Sequence, residues 1–154
     1  MKKFIILFVS LFVIAASANA QKYYNTALGI QGGSPSGVRL KHYLSETTSI
    51  EGVVGWNLNN SFKVQAHYEW NYSFFGVENM NWYWGLGGFT GFFDNGNAND
   101  KTGFWLGVGG IAGIEYTLPT VPITFHVAGT PGLSIIPNTD FDIGGAIGVH
   151  YAFK

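Results

Sequence analysis

Three histidines and two glutamates are the side chains of this chain best suited to chemistry. His67, His126 and His150 could bind a metal ion or move protons, and Glu69 with Glu115 could work as a general acid and base. A zinc site needs three or four converging ligands, on a spacing such as His-x-His or Cys-x-x-Cys. The sequence contains neither spacing. We therefore interpret the three histidines as hydrogen-bonded polar groups, and predict no metal, cofactor or catalytic residue.

The segment from Phe62 to Phe74 alternates between apolar and polar residues without a break. A β-strand turns successive side chains to opposite faces, so this strand has one aromatic, apolar face and one polar face. The polar face carries Lys63, His67 and Glu69, which is too much charge for the core of a soluble protein. The apolar face is too large for a surface in water. Both features are accounted for if the apolar face meets lipid and the polar face lines a closed barrel.

Seven further segments show a strand pattern, and turn residues separate them. The predicted strands are Tyr23–Gln31, Gly37–Leu44, Ser49–Asn57, Ser61–Phe74, Asn81–Phe93, Gly103–Leu118, Pro122–Ile136 and Asp140–Phe153. An even number of short strands in succession predicts an all-β fold, an eight-stranded antiparallel up-and-down transmembrane β-barrel with a filled polar lumen. With the N-terminus on the periplasmic side, the longest external loop is Asp94–Thr102.

The inward positions combine glycine and alanine with a few charged side chains. An eight-stranded barrel has an interior just wide enough for side chains, so the small residues leave room for the large polar ones. Charges enclosed there must meet opposite charges. We predict a lumen ion-pair network formed by Arg39, Lys41, Glu51, Lys63, Glu69, Glu115 and Asp142. Glu69 and Glu115 are thus interpreted as ion-pair partners. In the first strand, the alternation places Tyr24 outside and Asn25 inside.

The first 20 residues have the features of a cleaved signal peptide. Lys2 and Lys3 precede an apolar stretch, and Ala18 and Ala20 form the small-residue cleavage motif. The predicted organisation is a signal peptide over residues 1–20 and an outer-membrane β-barrel domain over 21–154. Without Lys2 and Lys3, the chain has six of its eight Lys and Arg residues and all nine Asp and Glu residues, so its net charge is about −3. No basic cluster suggests nucleic acid.

Composition favours the same class of protein. Charged residues make up 11% of the chain, aromatic residues 17%, and glycine numbers 22, which suits a small membrane barrel better than a water-soluble domain. No cysteine is present, so neither a disulfide framework nor a lipid-modified cysteine is expected.

Aromatic residues near the strand ends have two interpretations, stacking on sugars or forming the girdles of a membrane barrel, and we favour the girdles. They are Trp56, Tyr68, Trp70, Tyr72, Trp82 and Trp84. The last strand ends in Tyr151 and Phe153, a pattern similar to the signal that the barrel assembly machinery recognises. Lys154 after the aromatic departs from that pattern. Outer-membrane lipid and this machinery are the predicted partners.

The chain resembles the small outer-membrane β-barrel proteins common in the Bacteroidetes. The resemblance rests on Gly37–Leu44, Tyr68–Tyr72, Asn81–Phe89 and Gly113–Tyr116 with the turn that follows. It covers essentially the whole chain after the signal peptide. Members of this group mostly lack an assigned activity, so the resemblance implies an outer-membrane location in a Gram-negative bacterium and no catalytic residue.

We expect a structural or surface-interaction role without turnover chemistry. The first alternative is a soluble, lipocalin-like periplasmic barrel that binds an apolar ligand, which would exchange the two faces. The second is an outer-membrane lipid-modifying enzyme, which would need polar loop residues and an apolar slot for an acyl chain.

Overall fold

The computed structural model describes residues 24–57, 61–93 and 103–153. The predicted signal peptide with Ala18 and Ala20, the predicted external loop Asp94–Thr102 and Lys154 lie outside the described residues. Among the described residues, none forms a helix long and apolar enough to cross a membrane.

Eight strands account for most of the described chain. They are β1 (Thr26–Gly33), β2 (Ser36–Tyr43), β3 (Thr48–Trp56), β4 (Phe62–Ser73), β5 (Met80–Phe93), β6 (Gly103–Thr117), β7 (Ile123–Ile136) and β8 (Asp140–Phe153). Each pairs antiparallel with the next, and β8 pairs with β1, which closes the barrel. The prediction of an all-β, eight-stranded antiparallel barrel is confirmed. Seven of the predicted strands agree with the observed bounds to within one residue at either end. The first is shifted toward the C-terminus, because Tyr24 and Asn25 precede β1.

The strand lengths make the two ends of the barrel different. One end carries the start of β1, the end of β8 and the connections 44–47, 74–79 and 118–122; we name it the terminal rim. The other end, the loop rim, carries the ends of β1, β3, β5 and β7. Strand length grows from 8 residues in β1 and β2 to 15 in β6. At the terminal rim, the first residue of β1 pairs with the last residue of β8, Thr26↔Phe153. Toward the loop rim, the pairing of the two strands ends at Gly33↔Ala146, whereas β8 extends beyond this pair to Asp140. The loop rim therefore has a step between β8 and β1.

The two faces of the wall have opposite polarity. On β4 the side chains of Lys63, Gln65, His67, Glu69 and Asn71 are buried in the lumen. Large apolar residues lie on the outer face of every strand, and Ile143 of β8 is 72% exposed. The predicted alternation of faces is confirmed from β1 to β8.

Inward glycines make room for the large side chains of the lumen. The ring of Phe89 on β5 lies against Gly107 of β6 and Gly132 of β7, where an added Cβ would come within 2.4 Å of ring atoms in each case. The ring of Tyr83 lies in the same way against Gly113. An eight-stranded barrel can hold such rings only where the facing wall has no side chain.

Gly132→Ala should therefore destabilise the barrel, by about 1–3 kcal/mol for an overpacked interior. Gly129→Ala is the matched control on the same strand, because Gly129 faces outward and an added Cβ there meets no atom within 4 Å. Denaturant unfolding of the detergent-solubilised protein measures both variants. Phe89→Leu should partly restore the stability of the Gly132→Ala variant. Equal effects of the two alanine substitutions would contradict the packing described.

Candidate functional site

Lys41 joins three strands across the lumen near the terminal rim. Its Nζ lies 3.0 Å from Glu69 Oε2 and 3.1 Å from Glu115 Oε2, so β2, β4 and β6 meet at one ammonium group. It also donates a hydrogen bond to Asn71 Oδ1 at 2.8 Å. All four side chains are buried. The two carboxylates considered as an acid–base pair are thus both bound to one lysine, which is the arrangement of a structural ion pair.

Two tyrosines complete the hydrogen bonding of Glu115. Tyr43 donates to Oε1 at 2.8 Å and Tyr24 donates to Oε2 at 3.0 Å. Burial, and next the negative charge of Glu115, raise the pKa of the Tyr24 phenol well above its ordinary value. Tyr24 therefore remains a hydrogen-bond donor.

The prediction that Tyr24 faces outward was wrong, and so was the inward position of Asn25. Tyr24 is buried and packs edge-on against Tyr43, with ring centroids 5.1 Å apart, while Asn25 is exposed. Both residues precede β1, so the alternation of that strand does not govern them. The phenol gains hydrogen bonds in the lumen that the outer face could not supply.

Arg39 and Glu51 form a second buried ion pair, one step nearer the loop rim. Arg39 donates from Nε to Glu51 Oε2 at 2.8 Å and also from Nη2 to the same oxygen. Nη2 donates further to the hydroxyl of Tyr83 at 3.1 Å. The Tyr83 ring in turn lies 4.1 Å from Lys41 Nζ, a cation–π contact that links the two ion-pair groups.

Lys63 and Asp142 form a separate pair near the loop rim. Lys63 Nζ lies 4.5 Å from the centroid of Phe89 and 5.3 Å from that of Trp105. The side chain of Asp142 is 27% exposed. The structure thus places all seven predicted network residues in ion pairs, five in a continuous group and two beyond it.

The three histidines lie in the lumen, as their inward positions predicted. His150 Nε2 lies 3.3 Å from the Tyr24 hydroxyl, and the His126 and His150 ring centroids are 5.5 Å apart. Neither ring nitrogen of His126 has a hydrogen-bond partner among the described residues, so the interpretation of the histidines as hydrogen-bonded groups does not hold for His126 there. Within residues 24–57, 61–93 and 103–153, no three or more His, Cys, Asp or Glu side chains are placed to hold a metal ion.

A pocket of about 460 Å³ opens at the loop rim, and we name it the mouth pocket. Its polar lining comes from Asn57, Ser61, Ser134, Asp140 and Asp142, and Trp105 supplies an aromatic surface. These residues belong to β6, β7 and β8 and to the two ends of the connection between β3 and β4. No sequence motif predicts such a pocket, because its lining residues come from separate segments of the chain.

The outward aromatic residues gather near both rims. Toward the terminal rim, Trp70 stacks on Trp84 and Tyr72 stacks on Trp82, with centroids 4.6 and 4.9 Å apart. Toward the loop rim, the ring pairs are Trp56 with Phe62 and Phe92 with Phe104. Tyr151 and Phe153 lie on the outer face at the terminal rim, with ring centroids 4.9 Å apart.

Between these bands lie aliphatic and small residues, with Gly52, Ala66 and Gly88 paired directly across three strands. The outer wall therefore changes from aromatic to aliphatic and back to aromatic along the barrel axis.

Comparison of the chain with protein-family models and with curated proteins finds no match. The functional argument therefore rests on the lumen, the mouth pocket and the outer face. Each charged side chain of the lumen network contacts an opposite charge, with Lys41 shared by Glu69 and Glu115. The mouth pocket, in contrast, keeps polar groups that solvent and ligands can reach.

Proposed function

We propose that this protein is a small outer-membrane β-barrel of a Gram-negative bacterium, with a structural or surface-interaction role and no turnover chemistry. The observation that carries the proposal is its inverted polarity. Arg39, Lys41 and Glu69 are buried inside, while residues such as Phe141 and Ile143 are exposed outside. Water would penalise that apolar surface, and lipid would not.

The dimensions of the outer face support a membrane setting. On β6 the outward residues run from Phe104 to Tyr116. At about 3.3 Å per residue and a tilt of about 40°, this run spans roughly 30 Å along the barrel axis. An outer-membrane barrel needs an apolar band about 25 Å tall between aromatic girdles. The aromatic pairs near the two rims occupy the girdle positions.

The filled lumen supports an interaction role in preference to transport. Side chains from β2, β3, β4 and β6 meet in ion pairs across the interior, which leaves the loop rim as the surface for external partners. The same interior argues against the lipocalin-like alternative, because an apolar ligand would have to displace Arg39, Lys41 and Glu115. It argues equally against an internal acyl-chain slot of the kind that a lipid-modifying enzyme needs.

The test is the mobility of the membrane-extracted protein in SDS gels, with and without boiling. We expect a compact band that shifts on heating, since a closed barrel with every backbone ladder paired resists cold SDS. The protein should also be found in the outer-membrane fraction. A soluble periplasmic protein with unchanged mobility would contradict the proposal and favour a ligand-binding barrel.

A further inference from the structure

The step in the loop rim leaves one side of the barrel low. The ends of β2 to β6 at the loop rim, which we draw uppermost, lie on one row of backbone pairs: Ser36↔Trp56↔Phe62↔Phe92↔Phe104. Because strands of a closed barrel tilt, such a row climbs the wall from β2 to β6. β8 then stands six residues above its last pair with β1, since Asp140–Gly145 lie beyond Ala146. We name β1 and β2 the low wall and β6 to β8 the tall wall. At the loop rim, the tall wall extends beyond the low wall by roughly 10–15 Å along the barrel axis.

The low wall has a short apolar face. Its outward apolar residues are Leu28, Ile30, Val38 and Leu40. A hydrogen bond of 2.8 Å between Thr26 and His42 bounds them at the terminal rim, and one of 3.2 Å between Ser34 and Asn57 bounds them at the loop rim. Leu44 is exposed two residues beyond His42. Even the span from Leu44 to Ser36 is roughly 20 Å, short of the band of about 25 Å that an outer membrane covers.

A bilayer adapts to a short apolar wall by thinning locally. Lipid headgroups beside β1 and β2 would then lie lower than those beside β6. The Ser34–Asn57 hydrogen bond would lie at headgroup level, and Asn57 also lines the mouth pocket. The remaining lining comes from Ser61, directly before β4, and from the tall strands β6 to β8. None of the lining residues belongs to β1 or β2, so the pocket is open on the side of the low wall.

The chemistry of the pocket selects a class of headgroup. The pocket offers hydrogen-bond donors and acceptors beside the half-buried Trp105 indole. They are the hydroxyl groups of Ser61 and Ser134, the amide of Asn57 and the carboxylate of Asp140. Asp142 neutralises the charge of Lys63, and the Lys63 ammonium group already makes a cation–π contact with the Trp105 ring. Asp140 makes no ion pair within the described part of the chain, so the described lining carries a net negative charge that disfavours phosphate. Sugar hydroxyls and a sugar ring face suit such a lining.

On the basis of the membrane setting proposed above, we propose that the mouth pocket binds the neutral sugar headgroup of an outer-leaflet glycolipid. The headgroup passes sideways over the low wall of β1 and β2. Its acyl chains stay in the leaflet against Leu28 to Leu40, and its ring meets Trp105 and Asp140.

The test uses the mature protein in phosphatidylcholine nanodiscs with and without monoglucosyl diacylglycerol. Native mass spectrometry after transfer to mild detergent counts glycolipid bound per barrel. Asp140→Asn should weaken retention about tenfold, the effect of losing one charged hydrogen bond of about 1.5 kcal/mol. Glu46→Gln is the matched control, because Glu46 is exposed in the 44–47 connection at the terminal rim and the same charge is removed. Trp105→Ala should also lose retention.

Equal retention by the Asp140→Asn and Glu46→Gln variants would overturn the proposal. So would preferential retention of an amine-headed lipid, which would make the pocket a cation site. Methyl glucoside added in water distinguishes entry of a sugar from solution from entry of a headgroup out of the leaflet. If methyl glucoside binds as tightly as the glycolipid does, access from the leaflet is overturned. Heat-shifted gel mobility of the same nanodisc sample reports on the membrane barrel itself, so failure of the proposed function is recognised separately.

Discussion

Replacement of Val108 by arginine is expected to stop the barrel from assembling in the outer membrane. Val108 is 52% exposed on the outer face of β6, between Gly88 of β5 and Leu133 of β7. Arginine on the lipid face near the bilayer midplane costs about 2–4 kcal/mol. Since about 1.4 kcal/mol is a factor of ten, assembled protein should fall roughly 30-fold or more. In water the same substitution would be harmless or favourable, so the result separates a membrane barrel from a soluble one.

Val121→Arg is the matched control for this substitution. Val121 is 42% exposed in the 118–122 connection, beyond the apolar band of the wall. The heat-shifted fraction in purified outer membranes measures assembly of both variants. We expect Val121→Arg to assemble like the parent protein. Normal assembly of Val108→Arg would contradict the lipid-facing assignment of β6.

Much of the fold could be predicted because an alternation with a period of two indicates both that a segment is a strand and which of its side chains point inward. A slip of one residue would turn every side chain to the wrong face, so a long alternating run such as Phe62–Ser73 admits one register only. The charges on its inward positions also required a closed polar lumen. The alternation rule does not apply to Tyr24, because this residue lies outside β1. Its hydrogen bonds in the lumen determine its orientation instead.

The grouping of the lumen charges could not be predicted from single strands. Lys41 meets Glu69 and Glu115, on strands that are not its neighbours, because tilt and register decide which inward positions share a height. The inward position of Phe89 was also not predicted. Phe89 lies inside because Gly107 and Gly132 on two other strands leave space for its ring. Such a fit depends on three strands together, and no one of them contains its signal.

The step in the loop rim illustrates the same limit for a functional site. Each predicted strand length was close to the observed one, yet the step follows only when β8 is paired with β1, its neighbour through barrel closure. The mouth pocket lies above that step, and its lining comes from four separate segments. A pocket built from strand ends is therefore visible only in the closed barrel.

Lys41→Met should be the most destabilising single change within the lumen. It removes the cation that Glu69 and Glu115 share and leaves two carboxylates buried without their charge partner. Breaking a buried ion pair in this way costs about 3–5 kcal/mol. Urea unfolding of the folded barrel in detergent micelles, followed by tryptophan fluorescence, gives the free energy of unfolding. Glu69→Gln and Glu115→Gln added together should recover much of the loss, because the amides need no cation.

Lys63→Met provides the comparison with the same side-chain change. Its partner Asp142 has a side chain that is 27% exposed, so the freed carboxylate can still reach water. The loss of stability should therefore be clearly smaller than for Lys41→Met. Equal losses would contradict the distinction between an enclosed ion-pair group around Lys41 and a pair at the mouth. The expected order would instead mean that the enclosed group holds the barrel together, while the pair at the mouth is free to take part in recognition.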